Sequence, residues 1–265
     1  MNQPHSTLGQ AVITGASRGI GAEYARALAG EGYSLLLVAR NQARLEQVAG
    51  EISDAHAIEV RTACIDLTND TASDELFETA QRSPLPVDLL INNAGFGMFG
   101  AFVQTPVAQV QAMLRLHINT IVESTHRFLP SMIARRKGTI INVASVAGFL
   151  PIPYMAEYAA TKAFLISFSE ALAEEVRASG VTIQACCPGS TQTDFHRTAG
   201  HQPKNPLGSQ TVQEVVKASL NGLKKRHARV TVGWQGRAID FLTHYMPRSL
   251  LVRMAGNRAK PTSQD

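Results

Sequence analysis

Cysteine is scarce, with three in 265 residues. Cys64 stands alone and Cys186-Cys187 are adjacent, so neither a disulfide framework nor a zinc-ligand spacing can be assembled. Lying in apolar, strand-like runs, they read as buried, reduced thiols, and no metal is expected. The opening Met1-Asn2-Gln3-Pro4-His5 lacks a basic segment followed by an apolar core, so no secretory signal is read. Internal repeats, low-complexity tracts and linker-like stretches are also missing. One uncharged run of 18 residues, Thr139 to Ala156, approaches the length of a membrane span. Asn142, Ser145, Gly148, Pro151 and Pro153 interrupt it, and a buried strand leading into a loop explains it better. A cytoplasmic protein is expected.

What is present is an alternation of short apolar runs and helical periods. Ala11-Val12-Ile13 comes first, followed by Ser34 to Ala39, Ile58 to Ile65, Val87 to Ile91, Gly138 to Ala144, Val181 to Cys187 and Arg229 to Val232. Such nearly continuous apolar runs suit parallel strands covered on both faces. Helical spacing appears between them, as in Gln42 to Ile52 and Val107 to Arg115. The spacing predicts a further helix from near Tyr154 or Ala156 to Ser179, with Pro153 at its entry and Gly180 at its stop. The expected fold is α/β, a doubly wound parallel sheet of about seven strands in one domain spanning residues 1–265.

Two segments carry chemistry. Thr14-Gly15-Ala16-Ser17-Arg18-Gly19-Ile20-Gly21 lies between an apolar run and an alanine-rich helical stretch, Ala22 to Ala29. Glycines there let the backbone approach a pyrophosphate, while the helix N-terminus supplies unpaired N–H donors. Further along, Tyr158 and Lys162 are four apart, so they share one helix face. A phenol with a pKa of roughly 10 is a weak acid or base near neutrality. A neighbouring ammonium favours the phenolate, and the pair is therefore expected to lower the Tyr158 pKa. Ser145, thirteen positions before Tyr158, can hydrogen-bond a substrate oxygen and hold it against the phenol.

Together these segments resemble the short-chain dehydrogenase/reductase family. Gly15, Gly19 and Gly21 match its Thr-Gly-x3-Gly-x-Gly signature, and Asn92-Asn93-Ala94-Gly95 match its Asn-Asn-Ala-Gly turn. Ser145, Tyr158 and Lys162 match its catalytic set, and Asn119, in His117-Ile118-Asn119, falls where it places a fourth catalytic residue. Pro188-Gly189, with Thr191 and Thr193, matches the turn that closes over the nicotinamide. The resemblance implies that Ser17, Arg18 and Ile20 also contact the cofactor. It implies that Asp66-Leu67 bracket the adenine, although Asp66 equally suits a helix cap. It also implies that Lys162 binds the nicotinamide ribose and that Asn119 holds a water joining Lys162 to solvent.

Charge argues for the form of the cofactor. A site for NAD places a carboxylate about 20 residues after the glycine turn, whereas here the second strand ends Val38-Ala39-Arg40-Asn41. Arg40 is suited to a 2′-phosphate, which a guanidinium binds bidentately, and Arg18 offers a second cation; each is otherwise a solvated surface charge. NADPH/NADP+ is the expected cofactor. The expected reaction is hydride transfer between NADP(H) and a carbonyl or alcohol, in the direction of ketone reduction. A nucleotide-binding sensor is the alternative, and a sugar-nucleotide epimerase fits the short stretch after Thr193 poorly.

Substrate choice is less legible. Phe96, Met98, Phe99, Phe149, Leu150, Ile152, Tyr154 and Met155 flank the catalytic loops and suit an apolar pocket, core or subunit contact. Residues 194–209 read as a substrate lid, rich in Gly and Pro, whose His196 and His201 lack a metal spacing. Residues 224–265 hold nine Lys/Arg and two acids, a net of +7 against +4 for the whole chain. From residue 234 this basic tail shows helical apolar spacing at Ile239, Leu242, Tyr245, Met246, Leu250, Leu251 and Met254. It suits a cap on the substrate pocket favouring bulky hydrophobic ketones, a homodimer or homotetramer contact, or a peripheral membrane contact. No nucleic-acid recognition motif accompanies the charge.

Overall fold

Alternate residues of the strand Ser34–Ala39 feed opposite sides of the molecule, and that period of two organises the whole core. Leu35 and Leu37 join one buried cluster, while Leu36 and Val38 join another. The computed structural model describes residues 8–193 and 209–259. Among them are seven strands: β1 (Gln10–Thr14), β2 (Ser34–Ala39), β3 (Val60–Cys64), β4 (Val87–Asn92), β5 (Gly138–Val143), β6 (Val181–Cys187) and β7 (Arg229–Thr231). They form one parallel sheet in the order β3-β2-β1-β4-β5-β6-β7. Helices α1 (Gly19–Gly30), α2 (Gln42–Ala55) and α7 (Val212–Lys224) serve the first cluster. Helices α3 (Ala72–Gln81), α5 (Thr120–Ala134) and α6 (Ala156–Glu175) serve the second.

The expected strands and their parallel order are observed, with ends shifted by one or two residues. β3 differs in kind. It is the sheet edge and only half-buried, so Cys64 is exposed rather than buried, its thiol 3.3 Å from the Arg40 carbonyl oxygen. Cys186 and Cys187 are buried as expected. α6 starts at Ala156, ends at Glu175 and continues as a 3-10 turn to Ser179, where Gly180 turns away at φ +82°. The uncharged run from Thr139 is β5 followed by a loop and a short 3-10 turn. Among the described residues no helix is long and apolar enough to cross a membrane.

Strand order reverses beside β1, because β2 and β3 lie on one side of it and β4 on the other. In doubly wound sheets such a switch point opens a crevice beyond the strand C-termini, where ligands bind. The turns after β1 and β4 meet there. Thr14 Oγ1 accepts from the backbone N–H groups of Asn93 and Ala94 and donates to the Ile91 carbonyl. Asn93 Nδ2 returns a bond to the Thr14 carbonyl at 3.0 Å. Gly15, at φ +67°, has no room for a side chain, since a Cβ would stand 2.8 Å from Ala94 Cα.

A second polar strut runs beneath α6. Asn92 Nδ2 donates to Asn142 Oδ1 at 2.8 Å, and Asn142 Nδ2 donates to Ser169 Oγ at 2.9 Å. All three side chains are buried, so each bond lost leaves a polar group with no access to water. Such an orphan costs about 1–3 kcal/mol. Asn142→Ala is therefore expected to lower unfolding free energy by about 2 kcal/mol or more, read by urea denaturation. A loss below about 0.5 kcal/mol, the usual size at a surface position, would show that the strut does not hold β4, β5 and α6 together.

Candidate active site

A cleft of about 540 Å³ follows the strand C-termini. Its nucleotide end is built from the glycine turn, with Gly15, Ser17, Arg18, Gly19 and Ile20 on its wall. Arg18 is the N-cap residue of α1 and makes no side-chain cap bond, and no acidic residue lies in the first turn. A helix start of this kind, with its N–H groups and positive dipole end toward the cleft, attracts an anion. Gly21 does not line the cleft, because its missing Cβ serves packing; a side chain there would collide with the Gly15 carbonyl oxygen. Arg40, Asp66, Leu67, Asn93, Ala94 and Gly95 line the cleft, as do Pro188, Gly189, Thr191 and Thr193. Asn92 does not, being committed to the strut under the sheet.

Sequence reading missed a third cation at this end. Arg44, in the first turn of α2, lines the cleft with Arg18 and Arg40. Its signal is the spacing of four from Arg40 across a helix start capped by Asn41 Oδ1, which accepts from the Arg44 N–H at 3.0 Å. Arg40 lies 4.0 Å from Asp66, and both are well exposed. The Asp66 carboxyl also accepts from Thr68 N–H and Oγ1, which closes a local turn; it caps no helix, since α3 starts at Ala72 behind Thr71, and it lines the cleft.

The chemical end is set by α6 and the loop after β5. Ser145, Tyr158 and Lys162 all line the cleft, the last two being buried. Ser145 Oγ accepts from the Ala147 N–H at 3.1 Å, which orients the hydroxyl. Lys162 Nζ donates to the Val143 carbonyl at 2.8 Å and lies 5.6 Å from the centre of the Tyr158 ring. Burial pushes Tyr158 up to about 12, with a hydrogen bond from Ser145 opposing it. That reverses the lowered value expected from Tyr-x3-Lys spacing. The reason is depth. Lys162 is itself pulled down to about 8 by burial, and its N–H is directed at a carbonyl rather than at the phenol oxygen.

Asn119 is not brought to this site. It is exposed, at the end of a π turn (Arg115–Asn119) that joins α4 (Val107–Leu114) to α5. Side chains two apart on a helix point to nearly opposite sides, and here His117 takes the inner one. His117 is fully buried and lines the cleft beside Tyr158 and Lys162. Burial and the Lys162 cation hold its pKa well below the usual histidine range. Of the expected apolar residues, Phe96 and Met155 line the cleft, together with Leu116 and Val146. Met98, Phe99, Phe149, Leu150, Ile152 and Tyr154 flank it without lining it. His196 and His201, with most of the expected lid, lie outside the described residues.

The family model for the short chain dehydrogenases matches residues 10–204. The chain belongs to that family. A very-long-chain 3-oxoacyl-CoA reductase of Macaca fascicularis is 30% identical over 264 residues, covering 95% of this chain and 80% of that protein. Across such relatives the chain spans from 52% to 86% of their length. A short-chain dehydrogenase from Sphingobium yanoikuyae, solved in complex with NADPH, superposes with a TM-score of 0.81 at 30% identity, over 97% of this chain and 99% of that one. A bulky-bulky ketone specific alcohol dehydrogenase from Comamonas testosteroni gives a TM-score of 0.76 at 30% identity, over 91% and 96% of the two chains. The chain is thus an oxidoreductase of the short-chain dehydrogenase/reductase type, and its neighbours support a nicotinamide cofactor.

The two pKa directions separate the ionisations of the free enzyme. Tyr158 keeps its proton to about 12, whereas Lys162 loses its charge near 8. Oxidoreductase turnover, measured as kcat/KM, is expected to fall above pH about 8 as the Lys162 cation is lost. Lys162→Arg, which stays charged, should move that limb to higher pH even if it slows the reaction. A limb unmoved by the substitution would assign it to another group.

Proposed function

We propose that this enzyme reduces ketones to secondary alcohols with NADPH, using Tyr158 as the proton donor. The observation that carries the proposal is the convergence of Ser145, Tyr158 and Lys162 on one wall of a cleft whose other end is the N-terminus of α1, flanked by arginines. NADPH supplies the hydride when bound. Ser145 orients the carbonyl oxygen, and Tyr158 gives that oxygen its phenolic proton. Lys162, fixed by Val143, places a cation beside the phenol as its negative charge develops. Gly15, Ser17, Gly19 and Ile20 would offer backbone to the pyrophosphate, and Arg18, Arg40 and Arg44, which line the same end of the cleft, would hold the adenosine 2′-phosphate. No carboxylate ends β2 to oppose it.

A bulky, hydrophobic ketone is the proposed substrate. Phe96, Leu116, Val146 and Met155 give the chemical end an apolar wall, and relatives include 3-oxoacyl-CoA reductases and a bulky-ketone alcohol dehydrogenase. The basic tail supports this from behind rather than as a lining. Helix α8 (Gly233–Tyr245) packs at Gly236 against Val146, and α9 (Arg248–Ala259) packs at Gly256 against Pro153. Both therefore brace the substrate loop, but most of their apolar stripe is exposed: Leu242, Tyr245, Leu250 and Met254 face outward, and Leu251 is buried. Exposed Val103, Val107 and Phe164 give surface for a homodimer or homotetramer. The proposed setting is cytoplasmic, with membrane contact at most peripheral.

Tyr158→Phe is expected to abolish nearly all ketone reduction while NADPH binding and unfolding free energy stay close to wild type, because the ring packing is kept. Steady-state kinetics beside a fluorescence titration of NADPH decides this, and near-normal turnover would refute the mechanism. The cofactor assignment is tested separately. Wild type should prefer NADPH, and Arg40→Asp should move the NADPH/NADH efficiency ratio toward NADH by about tenfold, equivalent to about 1.4 kcal/mol. An unchanged ratio would remove Arg40 from the phosphate site.

A further inference from the structure

His117 occupies the junction of three parts of the site, and its two ring nitrogens are both committed. Nε2 lies 3.2 Å from the backbone N of Phe96, which follows the Asn-Asn-Ala-Gly turn. An N–H can only donate, so Nε2 must present a lone pair. Nδ1 lies 3.0 Å from Thr161 Oγ1, on the catalytic helix α6. The one hydroxyl proton of Thr161 is directed at the Tyr158 carbonyl, 2.8 Å away. Thr161 therefore accepts from His117, and the ring must carry its proton on Nδ1. The imidazole also meets the Tyr158 ring at 71°, with centroids 5.9 Å apart. Gly95 leaves space for it, since a Cβ there would stand 2.8 Å from Nε2.

We propose that His117 is a positioning residue for Tyr158, held as the neutral Nδ1–H tautomer and tying the turn after β4 to the catalytic helix. The chain of bonds runs from Phe96 N–H to Nε2, from Nδ1–H to Thr161 Oγ1, and from Thr161 O–H to the Tyr158 carbonyl. It connects the backbone of the cofactor turn to the backbone of the proton donor. The ring face or edge against the phenol then limits where the phenolic oxygen can lie. Because Nε2 is occupied by a donor, His117 does not shuttle protons. The low basicity that burial and Lys162 impose agrees with this. The role rests on Tyr158 being the proton donor.

The tautomer is read directly by nitrogen NMR of the full-length enzyme with labelled histidine, the His117 resonances being assigned by their loss in His117→Gln. The expected result is a protonated Nδ1 and a bare Nε2, unchanged from pH 5.5 to 8. A proton on Nε2, or titration in that range, would overturn the proposal. In kinetics, His117→Leu keeps bulk without the bonds and is expected to lower kcat roughly 10- to 100-fold, as for a small misplacement of a reacting group, with KM values within about twofold. His117→Gln, whose amide offers an acceptor and a donor at similar spacing, should recover most of that loss. A Leu variant with kcat within twofold of wild type would reduce His117 to packing. If that variant does not fold, Thr161→Val breaks the same chain and must show the same fall in kcat. Should no ketone be turned over by wild type, the Proposed function fails, while the tautomer is still decided by the spectra.

Discussion

A buried ammonium needs a hydrogen-bond acceptor, and Lys162 has one in the Val143 carbonyl at the end of β5. Taking a charge out of water costs several kcal/mol unless such partners are in place. This requirement fixes the rotation of α6 against the sheet. Once Lys162 points at Val143, Tyr158, one turn earlier on the same face, must point into the cleft, and Ser145, two residues beyond Val143, must lie beside it. The strut from Asn92 through Asn142 to Ser169 holds the same helix from below. Geometry at the chemical end is therefore set by buried polar bonds rather than by shape of the apolar core alone.

The opposite end of the cleft depends on backbone, not side chains. Gly15 and Asn93 bring the turns after β1 and β4 into contact, which closes the crevice where strand order reverses. A side chain at Gly15 would separate those turns, and one at Gly21 would push α1 off its start. The cations stand farther out, on exposed positions at the end of β2 and the first turn of α2. Solvent screens such charges, so they add little to the stability of the protein, and the role proposed for them is to select the cofactor.

Much of this was legible in sequence because parallel strands buried on both faces are written as unbroken apolar runs, such as Ser34 to Ala39. The glycine turn and Tyr-x3-Lys were legible because their spacing is local. What escaped depended on depth or on rotation. Spacing shows that Lys162 neighbours Tyr158, but not that both are buried, and burial reverses the direction in which the phenol's pKa moves. Choosing between His117 and Asn119 requires the phase of a helix that contains a π turn, and an extra residue in one turn leaves no local mark in composition. The exposure of Cys64 was legible, because Glu59 and Arg61 interrupt its run as a strand buried on both faces does not allow, and β3 is an edge strand. The apolar spacing of the tail was correctly helical, but periodicity does not say whether a stripe meets the protein or faces outward.

The protonation pattern that results has a direction. Protons at the chemical end are carried by the Tyr158 phenol, the Lys162 ammonium and, in the tautomer proposed above, His117 Nδ1. A second buried cation beside Lys162 would raise the cost of both, and the Phe96 N–H prevents it by occupying the only site on His117 where a proton could add. The phenol, pushed up to about 12, then keeps its proton and stays neutral through pH 7. In that state the phenol holds the proton that the proposed reduction needs, but a raised pKa makes it a weak acid, so donation depends on the Lys162 cation beside the ring to offset the charge that develops. Oxidation would first require the phenolate, and in this low-dielectric pocket that form is disfavoured by the burial that positions the donor.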